Sequence, residues 1–64
     1  MKYEIGDLVK VTRNFAYLKL EKDDLTVIVD LPSRVFGKGA YLVLFQKDLK
    51  ECLMYENEIE KVKL

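Results

Sequence analysis

Apolar and polar positions alternate through much of the chain, which predicts strands rather than helices. In Leu25-Thr-Val-Ile-Val-Asp-Leu31 the odd positions Leu25, Val27, Val29 and Leu31 fall on one face of an extended segment, with Thr26, Ile28 and Asp30 opposite. Ala40-Tyr-Leu-Val-Leu-Phe45 alternates in the same way, with Tyr41, Val43 and Phe45 on one side and Ala40, Leu42 and Leu44 on the other. Pro32 cannot donate to a strand ladder, and Gly37 and Gly39 offer positive φ, so residues 32–39 connect the two strands.

The remaining elements fit around this pair. Gly6-Asp7 opens a first strand that sends Val9 and Val11 to one face and Lys10 and Thr12 to the other. Residues 13–24 mix Phe15, Tyr17, Leu18 and Leu20 with charges at irregular spacing and end in Asp23-Asp24, a pattern that predicts a long hairpin-like loop. A polar turn at 46–50 leads to a fourth strand, Glu51 to Tyr55. A single helical turn over 56–59 and a short closing strand over 61–64 complete the reading.

At 64 residues the chain is one domain, residues 1–64, near the lower size at which a single core holds without metal or disulfide. The expected fold class is all-β: a small five-stranded barrel, curled because so short a sheet must hide its edges.

Gly6-Asp7-Leu8-Val9-Lys10-Val11, Val27-Ile28-Val29-Asp30, Tyr41-Leu42-Val43-Leu44-Phe45 and Tyr55-Glu56-Asn57-Glu58-Ile59-Glu60 together resemble the SH3-like barrel. They are similar in particular to the small stand-alone versions encoded by tailed bacteriophages, including those of cyanobacteria. The likeness covers nearly the whole chain and rests on pattern and spacing. It implies a non-enzymatic structural module of a phage particle, at the capsid surface, neck or tail.

Eleven basic residues balance eleven acidic ones, so no net field draws the chain to nucleic acid or to an anionic membrane. The charges are nevertheless segregated. Residues 31–50 carry Arg34, Lys38, Lys47 and Lys50 against Asp48, whereas residues 51–60 carry Glu51, Glu56, Glu58 and Glu60 without a base. Such a division suits head-to-tail contact between subunits, or is ordinary solvated charge.

Cys52 is the single cysteine and histidine is absent, which rules out an intrachain disulfide and a Cys/His zinc site. Acidic Glu51 beside Cys52 disfavours a reactive thiolate. No phosphate loop, Cys-His pair or neutral-pH base is present, and the carboxylate groups at Asp23-Asp24 and Glu56/Glu58/Glu60 fit solvated loop charge, so the chain is expected to be no enzyme and to take no cofactor. The apolar runs fall short of the ~20 residues that span a bilayer. The N-terminus lacks the apolar region of a signal peptide, and cytoplasmic synthesis is the expectation, with the virion as a destination.

The informative feature is a surplus. With one face of each strand assigned to the core, Ile28, Leu42, Leu44 and Met54 are left pointing outward together with Cys52. We expect this patch to be covered by a partner subunit, either another copy or a larger structural protein, with Arg34 and Phe36 as supplementary anchors. Two alternatives stand beside this. The 13–24 loop folds over the patch, or the basic residues Arg13, Lys19, Arg34, Lys38, Lys47 and Lys50, with Phe15, Tyr17 and Phe36 as stacking platforms, bind RNA as KOW- and Tudor-type barrels do. A polyproline groove built from Tyr17, Phe36, Tyr41 and Tyr55 lacks the tryptophan that such a site uses.

Overall fold

A computed structural model describes residues 2–32 and 39–63. Five strands, β1 (Leu8–Val11), β2 (Leu25–Asp30), β3 (Ala40–Phe45), β4 (Glu51–Tyr55) and β5 (Ile59–Lys61), form one antiparallel sheet in the order β4-β3-β2-β1-β5. The fold is therefore all-β. The sheet is open: β4 and β5 are its two edges, and no ladder joins them. The helical turn is a single 3₁₀ turn, Glu56–Glu58, and the closing strand begins at Ile59, directly after it.

Register decides which side of each strand is buried, because residues directly opposite share a face. The inner face of β3 is Tyr41, Val43 and Phe45, as the alternation predicts, and all three are buried. Across from them stand Met54 and Cys52 of β4 and Ile28 and Thr26 of β2, while Val9 of β1 stands across from Thr26 and Val11 across from Ile59 of β5. Ile28 and Met54 are thus core residues, at 0% and 1% exposure. This corrects the expectation that they face a partner. The alternation of β2 favours the opposite face and β4 is apolar on both sides, so neither strand's own pattern set its buried side, and the inner row of β3 chose for them.

A bulge completes the inversion. Ile28 pairs with Val43 but Asp30, not Val29, pairs with Leu42. The extra residue shifts the alternation by one, so Leu31 returns to pack against the core while Val27 and Val29 stay half-buried outside. The odd-numbered residues of β2 therefore do not share one buried face.

Two segments outside the strands cap the core. The 13–24 loop is a hairpin with a bridge between Phe15 and Leu20 and a 3₁₀ turn at its tip, Ala16–Leu18. It buries Phe15 and Leu20 in the core and leaves Tyr17 81% exposed. The loop thus closes the inner side of the sheet and leaves the outer side uncovered. Near the N-terminus, Tyr3 is buried edge-on against Tyr41, with ring centroids 5.4 Å apart. Its hydroxyl donates to the Ile59 carbonyl at 3.0 Å, and its N–H donates to the Tyr41 hydroxyl at 3.3 Å. Both tyrosines thereby satisfy their polar ends while filling the interior.

Lys47, in the β3–β4 turn, holds the loop in place. Its ammonium donates to the Lys19 carbonyl at 2.7 Å and to Asp24 Oδ2 at 2.8 Å. Asp24 also accepts the Glu21 N–H at 2.9 Å.

Candidate protein interaction face

The outer face of the sheet carries a cross-strand apolar row. Val62 lies beside Leu8 through the bond from its N–H to the Leu8 carbonyl, Leu8 pairs with Val27, and Val27 pairs with Leu44. All four are half-buried. A second row runs Leu42 to Leu53, and Tyr55 stands opposite Ala40 at the end of β4. Leu25, Leu53 and Tyr55 are 45%, 42% and 50% exposed. Together these side chains present on the order of 400 Å² of apolar surface, within the range of the largest patch on a typical monomer. That is a large share for a chain with 4488 Å² of accessible surface in all.

Of the residues expected at a contact, Leu42 and Leu44 lie on this face and Ile28 and Met54 lie beneath it. Arg34 and Phe36 fall outside the described residues. Leu8, Val27, Val62 and Leu53 are not among the residues expected at a contact, and Tyr55 enters the expectations only through a polyproline groove. Their signal was present in the alternation, since Leu8 is out of phase with Val9 and Val11, but Val27 and Leu53 were assigned inward with their strands.

Charged side chains near the face engage one another in ion pairs. Lys10 reaches both Asp23 and Glu60 at 3.5 Å, Lys61 reaches Asp7 at 3.6 Å, and Arg13 reaches Glu58 at 3.8 Å. Arg13 also stacks over the Phe15 ring, 4.9 Å from its centroid. Three of the residues offered for RNA contact are therefore committed within the chain: Phe15 is buried, Arg13 is paired, and Lys47 is bound to Asp24 and the loop backbone.

Cys52 lines a cleft of about 140 Å³ with Leu18, Leu20, Phe45, Asp48, Lys50 and Glu51. Burial, and then the Glu58 carboxylate, push its thiol above the usual range, so it is protonated near neutral pH and a weak nucleophile. A shallower cleft of about 290 Å³ lies between Lys2, Gly39, Tyr55, Glu56 and Asn57. No helix among the described residues is long and apolar enough to cross a membrane.

No protein-family model, no curated protein and no solved structure matches this chain.

Proposed function

We propose that the protein is a non-enzymatic assembly module of the small SH3-like type, docking a protein subunit on the outer face of β1 to β4. The observation that carries this reading is the apolar row Val62, Leu8, Val27 and Leu44 with the adjoining Leu42–Leu53 pair, on the side of the sheet that the chain's own loop leaves bare. A soluble domain this small gains from placing every large apolar side chain inside, so an outer row of this extent is accounted for by a partner that covers it. The paired charges around it supply a polar rim that sets orientation.

The SH3-like assignment is supported by the order of the meander, with the last strand beside the first and a 3₁₀ turn leading into it. The further placement among small structural components of a tailed-phage particle rests on the sequence resemblance described above.

A photo-crosslinking residue installed at Leu44 in producing cells tests the contact face. It is expected to give one discrete protein adduct that the same residue at Glu21, in the exposed loop, does not give. Equal labelling from both positions, or none from Leu44, overturns the reading. The phage placement is tested by the chain's presence at fixed stoichiometry in purified particles, and its absence there removes that part.

A further inference from the structure

The two edges of the sheet are protected to different degrees. β5 has three residues, two of them charged, and Lys63 follows closely. β4 has five residues with one charge, Glu51, no proline, and an unbroken register against β3. Natural sheets usually blunt an edge with lysine, proline, a bulge or brevity, and β4 uses none of these.

The backbone groups that β4 turns outward follow from its pairing. The Phe45 N–H donates to the Lys50 carbonyl, which makes Phe45–Lys50 a hydrogen-bonded pair. Antiparallel alternation then makes Val43–Cys52 and Tyr41–Met54 the next such pairs, and aims the N–H and C=O of Glu51, Leu53 and Tyr55 at the open edge. Tyr55 is already engaged: its N–H donates to Glu58 Oε1 at 2.8 Å and its carbonyl begins the 3₁₀ turn. Among the described residues Glu51 and Leu53 remain, with only a long 3.6 Å contact from the Cys52 thiol to the Leu53 carbonyl.

We propose that a second copy of this chain adds to β4 in antiparallel register about a two-fold axis at Cys52, so that Glu51 of each copy pairs with Leu53 of the other. This register uses each outward N–H and C=O of Glu51 and Leu53 once in both copies and forms four backbone hydrogen bonds, the self-complementary arrangement that a two-fold interface requires. Cys52 then faces its own copy as a non-hydrogen-bonded pair, with Cα atoms roughly 4.5 Å apart, within the span of a disulfide. The two outer faces become neighbours, and their patches add to on the order of 800 Å², the area that one side of a standard interface presents. The inference deepens the assembly reading by naming a first partner, and the two fail separately in the tests below. Strand addition alone buries less than a standard interface, so the dimer is weak and strongly concentration-dependent. Each Glu51 also lies diagonal to its copy, a like-charge contact that works against the pairing.

The test is sedimentation equilibrium over a wide concentration range, joined to mild oxidation of the native chain at mildly alkaline pH. A Cys52-linked dimer is expected. Leu53→Pro removes the outward N–H without touching the β3 ladder and is expected to lower the association constant at least tenfold. Leu53→Glu serves the same purpose if the proline variant does not fold, because it sets a second carboxylate directly opposite Glu51 of the other copy. Glu51→Gln is expected to tighten association several-fold, and Glu4→Gln, exposed ahead of β1, to leave it unchanged. The proposal is overturned if the native chain is monomeric at every concentration, or if Leu53→Pro and Leu53→Glu chains crosslink as fast as native. It is also overturned if Leu53→Cys in a Cys52→Ser background crosslinks faster than Cys52 itself. A Cys52 dimer without a Leu44 adduct sinks the face reading alone, and the reverse result sinks only the edge.

Discussion

Thr26 is completely buried in the middle of β2, and among the described residues its hydroxyl has no hydrogen-bond partner. It sits between Val9 and Phe45 on the inner face, where no water reaches it. Leaving such a group unsatisfied costs about 1–3 kcal/mol on the scale of protein substitutions. Valine has the same branched shape and a strand preference at least as strong, so Thr26→Val removes the cost without opening a cavity. The expected gain is about 1–2 kcal/mol. For a domain of this size each kcal/mol moves the midpoint by about 4–8 °C, so Tm should rise by at least ~4 °C. Thermal unfolding followed by circular dichroism measures the shift. A urea titration with unchanged slope shows that the native state, rather than the unfolded ensemble, has changed. Thr26→Ser keeps the hydroxyl and deletes a methyl, and should lower stability by about 1 kcal/mol. A lower midpoint for Thr26→Val, or equal midpoints for valine and wild type, would refute the argument that this hydroxyl is unpaired.

The assignment of faces is checked by one pair of substitutions: Ile28→Asp should abolish the cooperative unfolding transition, whereas Leu42→Asp should retain it, because only the first charge enters the core. Folding of both variants, or of neither, would contradict the register. The Glu21 N–H and the Lys47 ammonium hold the Asp24 carboxyl below its ordinary value of 3.8. A depressed folded-state value contributes stability that is complete above that ordinary value and is lost as pH falls through the folded one. Acid titration of Asp24→Asn should therefore show less loss of stability in that range than wild type, and identical acid profiles would remove the role. Leu49 holds φ +57° in the β3–β4 turn with its side chain 70% exposed. Leu49→Gly should relieve that backbone by about 0.5–1 kcal/mol after the entropy cost of glycine, read as a Tm gain of a few degrees. A fall in Tm would mean that the leucine packs where the structure leaves it open.

Strand existence was legible in the alternation, and so were the turns. Ala40–Phe45 and Glu51–Tyr55 have the bounds that the residues predict, Pro32, Gly39 at positive φ and the acidic pair mark the connections, and Gly37 lies outside the described residues. The hairpin character of the 13–24 loop followed from its irregular apolar spacing, but its destination did not. Nothing local tells Phe15 and Leu20 to enter the core while Tyr17 stays outside. Tyr3 carried no signal, since it stands among Lys2 and Glu4 and is buried only by the distant partners Tyr41 and Ile59.

Local sequence determines that a segment is extended, because alternation and β-branched content are properties of neighbours along the chain. Tertiary structure alone decided the inward side of β2, where the alternation favours the opposite face, and of β4, where both faces are apolar and either orientation satisfies the pattern. The choice came from across the sheet: Tyr41, Val43 and Phe45 drew Met54, Cys52, Ile28 and Thr26 inward through register, and a bulge at Val29 divided β2 between the two sides. The surplus of apolar strand positions was therefore readable from the residues, whereas the identity of those left outside depended on pairing between strands far apart in the chain.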